Sequence, residues 1–430
     1  MQKPHIVILG AGFAGLQLAR RLKNEDLEIT IIDHYNFHQF QPLFYQVATG
    51  RLEPSSISFP LRKVFQKKHN VHVRLANVTG IDPAVKQVIT DVGIFNYDHL
   101  VIATGCSTNY FGNKQIEQFA FPMKSTTEAL ALRNRILMNF EEALSATPET
   151  LPGIMNIVVV GGGPTGVELS GSLAELKTNI LPVDYPDMDF SQLNVYLIEA
   201  GPATLGPMSK VSQQKSQEYL EKMGVIVRTN TQVKEYDGKQ VTLGDGSTIP
   251  THTLIWAAGV TGNVPPGIPA DKLVRGNRIK VDAFNRVEGL DNIFAIGDIA
   301  YMETAEFPKG HPQLANVAIA QAKNTVKNID NIVKQKELVP FKYKSPGTMA
   351  TVGKRKAVVD LPFMSFQGRI AWLVWMFLHL MLIVSVKNRL IIFINWAISY
   401  FTNDTTLRLI LLPTQKEKKA ANSTVDQVQK

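Results

Sequence analysis

Apolar residues run unbroken at five places along the chain, and each run stops at small or turn-forming residues. Residues 6–9 run into Gly10, 100–103 into Thr104 and Gly105, 157–160 into Gly161, 254–258 into Gly259, and 293–296 into Gly297 and Asp298. Such runs are what parallel strands buried on both faces require. Between them, residues 126–145 and 314–333 follow a helical period, while 71–76, 86–89 with 93–96, 224–228 and 241–243 read as further strands or hairpins. Residues 34–65 are rich in aromatics, Gln and Pro and keep no clean period, so they predict a loop with short helical turns. That loop covers a bound ring, or packs Phe37, Phe40, Phe44 and Tyr45 into the core.

Two of the five runs carry the same punctuation. Gly10, Gly12 and Gly15 enclose Phe13 and Ala14, and Gly161, Gly163 and Gly166 enclose Thr165, so GxGxxG occurs twice between a strand and a helix. The first glycine makes the tight turn, the second admits a pyrophosphate, and the third lets the helix pack on the strand. Free N–H groups and the helix dipole then face the phosphates. In each case the next strand ends in an acid, Asp33 and Glu199, placed to accept from a ribose 2′-hydroxyl. A carboxylate at residue 199 also repels a 2′-phosphate, which predicts NADH over NADPH at the second site. The expected fold is α/β, with two dinucleotide-binding (Rossmann-like) domains, one inserted in the other. Residues 1–120 and 285–345 form the first and 121–284 the second.

The last part of the chain changes character. Residues 370–386 carry no charge over seventeen positions, about 25 Å as a helix against roughly 30 Å of bilayer core. Lys387, Asn388 and Arg389 interrupt, and then Leu390, Ile394, Ala397, Ile398 and Phe401 share one helical face. Trp372, Trp375, Trp396 and Tyr400 suit an interfacial belt. Residues 346–412 therefore read as a membrane-surface helical segment, a monotopic anchor rather than a buried pair or a span, and 413–430 as a disordered tail.

The 430 residues carry a formal charge of +8, and the basic residues thicken toward the C-terminus, which suits an anionic membrane face. No finger, basic zipper or aromatic-basic platform points to nucleic acid. The single cysteine, Cys106, removes intrachain disulfides, dithiol centres and cysteine-built metal clusters, so no metal site is expected. The first apolar run is too short for a signal peptide, which leaves the body in the cytoplasm. Glu168 lies in the first turns of the second glycine helix. There it complements the helix dipole, or holds and relays a proton near the reacting rings.

GAGFAGL at Gly10, FQPLFYQVATG from Phe40, ATG at Ala103, GGGPTGVEL at Gly161, IGD at Ile296 and KNR at Lys387 together resemble the type II NADH dehydrogenases. These are single-subunit, non-proton-pumping NADH:quinone oxidoreductases, and the likeness spans about residues 3 to 412. It implies FAD on the first fingerprint, with Val78 near the adenine and Asp298 near the ribityl chain and ring. It also implies NADH on the second, with Glu168 coupling to the quinone. The family commonly shows AQxAxQ where this chain has Asn316 and, one place later than expected, Gln321. Asn316 keeps an amide on a shorter arm, and Gln46 offers another. The resemblance further implies a membrane quinone as partner, the cytoplasmic side of the cell membrane as location and a homodimer. Two alternatives share the fold. One is a signalling flavoprotein resembling apoptosis-inducing factor; the other is a sulfide:quinone oxidoreductase, whose sulfur chemistry needs more than one cysteine.

Overall fold

The computed structural model describes residues 3–402 and 407–411, so the expected disordered tail at 413–430 lies outside the described residues. Strand β1 (His5–Leu9) and helix α1 (Phe13–Arg21) hold the first glycine turn between them. β2 (Glu28–Asp33) and β4 (His99–Ile102) flank β1 in parallel, and β3 (Val71–Leu75) pairs in parallel with β2. After helix α2 (Thr126–Ala143), β5 (Asn156–Val160) leads to the second turn and helix α3 (Pro164–Asn179). With β6 (Asn194–Ile198), β7 (Val225–Arg228) and β8 (Thr253–Trp256), β5 makes a parallel sheet in the order β7-β6-β5-β8. The chain then returns to the first sheet, where β9 (Arg286–Val287) and β10 (Leu290–Ala295) complete the order β9-β10-β4-β1-β2-β3. One parallel unit is therefore threaded through the other. The apolar runs sit at the centre of both sheets, with Ile6, Val7, Val158 and Leu254 fully buried.

Helix α4 (Ala315–Val333) packs against α1. The aromatic stretch after Asp33 is mostly ordered core rather than a cover alone: Phe40, Phe44 and Tyr45 join one cluster with residues of α2 and α3.

The C-terminal part departs from expectation in three ways. First, residues 348–367 form a three-stranded antiparallel sheet, β11 (Thr348–Thr351), β12 (Ala357–Leu361) and β13 (Met364–Gln367), which the sequence pattern did not suggest. Second, the uncharged run is not one helix. α5 (Arg369–Leu382) ends at Ile383, and α6 (Val386–Thr402) takes Lys387, Asn388 and Arg389 into its first turn. Asn388 is tied down there, donating to the Ser55 and Ser56 carbonyls, and Arg389 donates to those of Ile383 and Met381. Among the described residues no helix is long and apolar enough to cross a membrane. Third, the expected aromatic belt turns inward. Trp375 and Trp396 are buried, because the Trp396 indole bonds to Gln46 in a short helix (Phe44–Ala48) and Trp375 packs between Trp396 and His379, while the exposed face of the pair is aliphatic and Phe-rich.

Candidate active site

Close contact between backbones shows why glycine stands at these turns. A Cβ on Gly10 would lie 2.4 Å from the Ala103 carbonyl oxygen, and one on Gly15 only 1.9 Å from that of Gly10. The second turn repeats this, with a Gly166 Cβ 1.9 Å from the Gly161 oxygen and a Gly161 Cβ 2.8 Å from the Ala257 carbonyl. The middle glycines differ in kind: around Gly12 and Gly163 an added Cβ meets nothing within 4 Å. That open cradle at each helix N-terminus fits a pyrophosphate; Gly105, after β4, is open as well. The acids brace the same loops. Asp33 accepts from the Ala11 and Tyr35 N–H groups, at 2.6 and 2.7 Å. Glu199 accepts from Gly162 and Gly201, at 2.5 and 2.6 Å. Burial raises the Asp33 carboxyl, and the Tyr35 and Ala11 N–H groups oppose it.

Two clefts share Gly12 and Gly105 and so form one elongated site. The first, about 1580 Å³, runs past Gly10, Asp33, Val78 and Thr104. The second, about 1310 Å³, is lined by Phe13, Ala14, Gly297 and Asp298 from the first unit and by Thr165 and Glu168 from the second. Most of the expected FAD-side residues thus meet in a groove with room for an extended dinucleotide. Gly297 is held by Gln321, a pairing the sequence does not show: Gln321 is buried and its Oε1 accepts from the Gly297 N–H at 2.7 Å. At the second turn, the ring of Phe111 closes over Gly259: a Cβ there would lie 2.5 Å from Phe111 Cζ. Phe111 had no sequence signal; it is 69 % exposed and held in a left-handed turn.

At the inner end lies Glu168, buried beneath Tyr45 and the C-terminal sheet. Its Oε1 accepts from the Thr351 N–H at 3.3 Å. Burial pushes its carboxyl up to about 8, against the opposing influence of Thr351 and the Trp375 indole. His379, on the same cleft, stacks on Trp375 at 4.0 Å, and burial lowers it to about 4, so it stays neutral. Cys106 faces Asp298 at 3.1 Å; burial, with Asp298 adding, pushes the thiol up to about 12, which makes it a poor nucleophile.

Beyond Tyr45 a third cavity, about 540 Å³, opens under α5 and α6, lined by Gln46, Thr351, Trp372, Trp375, Trp396 and Ser399 among others. Gln46 is held at both ends of its amide: its Oε1 accepts from Trp396 Nε1 at 2.7 Å and its Nε2 donates to the Tyr45 hydroxyl at 2.8 Å. The hydroxyl proton of Tyr45 is therefore left to point elsewhere. Asn316 is not brought to this place. It is exposed on α4 and lines none of the three cavities, whereas Ala315 and Ala318 of the same helix do reach the second cleft.

Two threaded dinucleotide units, each with an open phosphate cradle, meeting at a buried carboxyl define a flavin-dependent pyridine-nucleotide oxidoreductase. The profile of the pyridine nucleotide-disulphide oxidoreductase family matches residues 4–322, and that of the NDH2 C-terminal domain matches 346–403. The chain is 35 % identical over 421 residues to the type II NADH:quinone oxidoreductase Ndh of Mycobacterium tuberculosis, covering 93 % of this chain and 89 % of that one. It is 36 % identical over 410 residues to NdhA of the same organism, covering 92 % and 87 %. Its fold matches that of NDH2 from Plasmodium falciparum in complex with NADH, with a TM-score of 0.87, 21 % identity and coverage of 95 % and 100 %. The sulfide:quinone oxidoreductase of Aquifex aeolicus shares the fold less closely, with a TM-score of 0.71, 21 % identity and coverage of 95 % and 96 %. The chain belongs to the type II NADH:quinone oxidoreductase family.

Proposed function

We infer that the protein oxidises NADH and reduces a quinone by two electrons, with FAD bound between them and no proton pumping. One observation carries this reading: the groove built on the first glycine turn, the edge of the second unit and the cavity under α5 and α6 all converge on Tyr45, with Glu168 on the groove side and its hydrogen-bond partner Thr351 on the cavity wall. Hydride acceptance and onward delivery of the electron pair are the chemistry that bound FAD supplies. The chain's own residues do the rest. Gly10, Gly12, Phe13, Ala14 and Gly15 hold the flavin pyrophosphate on α1, Asp33 and Val78 the adenosine end, and Thr104, Gly105, Gly297 and Asp298 the ring end. Gly161, Gly163, Thr165 and Gly166 hold the NADH pyrophosphate on α3, Glu199 its ribose, and Gly259 with Phe111 its nicotinamide end. Proximity is most of what hydride transfer needs.

Quinone reduction also consumes two protons. Glu168, protonated at neutral pH, holds one on the groove side of Tyr45, bonded to Thr351 of the cavity wall, and Tyr45, oriented by Gln46 and Trp396, presents its hydroxyl to the cavity. Gln46 thus acts through Tyr45, and Asn316 is left out. The proposed domains are 1–120 with 285–345 for FAD, 121–284 for NADH and 346–412 for the membrane surface.

The quinone enters from a bilayer face. α5 and α6 invert the usual amphipathic order, keeping Asn395 and Ser399 against the cavity and presenting Ile370, Phe377, Leu390, Phe393 and Phe401 outward. The body then lies on the cytoplasmic side. A homodimer follows from the family resemblance alone.

The test is anaerobic. NADH should bleach the flavin absorbance of the purified protein, and a short-chain quinone should restore it within the turnover time. Bleaching without recovery would keep the NADH site and remove the quinone.

A further inference from the structure

Three successive cations, Lys354, Arg355 and Lys356, form the turn between β11 and β12. They rest on the last turn of α6: the Arg355 guanidinium carbon lies 4.3 Å from the centre of the Tyr400 ring, and Lys354 Nζ donates to the Ser399 carbonyl at 2.9 Å. With Lys222 they wall a cavity of about 860 Å³ that also touches Tyr400 and Phe401. Among the described residues the one carboxylate on that wall, Glu175, is already spent, pairing with Arg51 and accepting from the Lys354 N–H. Arg355 Nε is buried with no hydrogen-bond partner among the described residues.

We propose that Lys222, Arg355 and Lys356 bind the phosphate of an anionic phospholipid headgroup whose acyl chains lie along the outer face of α6. The commitment to a lipid comes from continuity. Phe401, on the rim of the cavity, is 82 % exposed, and Ile398, Ile394 and Leu390 continue the same apolar face along the helix. A free phosphate uses the cations alone, and a nucleic acid has no use for the aliphatic strip. Only a molecule with an anionic head and apolar tails uses both surfaces at once. The site would draw the cavity mouth onto the membrane at one fixed edge, beside the tryptophans that line the way to Tyr45. This inference rests on the bilayer reading above.

Flotation of the full chain with vesicles of phosphatidylcholine alone, or mixed with phosphatidylglycerol, tests it. The wild type should prefer the anionic vesicles. K222Q/R355Q/K356Q should lose about fivefold of that preference per cation removed, with neutral-vesicle binding and NADH:ferricyanide activity unchanged. R355K, which keeps the charge, should retain most of it, and raised salt should erase it. Equal preference in wild type and triple variant overturns the site. Wild type that floats with neither vesicle removes the bilayer reading itself. A preference abolished by inorganic phosphate at constant ionic strength overturns the lipid in favour of the free ion.

Discussion

Between the first and second glycines, the first turn carries Ala11 and the second carries Gly162. The facing acids differ in the opposite sense, Asp33 against Glu199, yet each accepts the N–H of that intervening residue. The longer glutamate side chain folds back over its loop: a Cβ on Gly162 would meet Glu199 Cβ, Cγ and Oε2, each at 3.0 Å. The shorter aspartate leaves that space to the methyl group of Ala11. What the two units share is thus a hydrogen bond and a cradle, and the size of one residue is matched to the size of its partner. A fingerprint read only by its glycines misses this pairing.

The sharpest way to break the symmetry is to fill the third glycine of either turn. Gly15→Ala and Gly166→Ala each drive a methyl group into backbone 1.9 Å away, so α1 or α3 must move off its strand. The cost is at least the roughly 1–3 kcal/mol of an overpacked core, and more because the obstacle is backbone. Gly15→Ala should yield protein without flavin. Gly166→Ala should keep the yellow colour and raise the KM for NADH about a hundredfold or more. Absorbance of the purified variants and steady-state NADH kinetics check this. Loss of flavin from Gly166→Ala would mean that the two units fold as one.

Next in size is the position where the two helices differ in chemistry. At the fifth residue of each helix, α1 has half-exposed Gln17 and α3 has buried Glu168. The Glu168 pKa is raised from 4.5 to about 8. Above pH 4.5 the unfolded chain therefore releases a proton that the folded one keeps, and stability falls until the folded group also ionises near pH 8. Glu168→Gln removes that slope, and should gain on the order of 2–4 kcal/mol at pH 8 relative to pH 5. The same change should lower quinone turnover by about a hundredfold while sparing NADH:ferricyanide turnover. Thermal melts at the two pH values, read beside both activities, separate the roles. Unchanged quinone turnover would leave Glu168 as a buried helix-end acid only.

Glycine turns, strand runs and terminal acids were legible because each depends on residues next to one another in the chain. The threading of one unit through the other followed from their duplication. Glu168 shows where that legibility stops, because its raised pKa comes from burial under Tyr45 and Thr351, far away in sequence. Gln46 was found as an amide but not as the brace between Trp396 and Tyr45, which only tertiary packing reveals. The C-terminal region was read correctly as apolar and incorrectly in detail. Its break at residues 383–385 follows from the tethering of Asn388 and Arg389, and its tryptophans turn inward to a cavity whose existence no local pattern encodes.

The smallest expected effect returns to the matched pair of sizes. Ala11→Gly removes a buried methyl group and loosens the unfolded chain, but leaves both the Asp33 hydrogen bond and the open space at Gly12, so flavin should stay bound. About 0.5–1 kcal/mol of stability should be lost. Gly162→Ala is the reciprocal change, and here Glu199 must yield by a few tenths of an ångström, because the obstacle is a side chain and not backbone. Its carboxylate would shift relative to the ribose hydroxyls, so the KM for NADH should rise several-fold, with NADPH little altered and the gap between them narrowed. Steady-state kinetics with both nucleotides measure that ratio. An unchanged ratio would show that discrimination does not depend on where the loop holds Glu199, and would move it to some other group near the ribose.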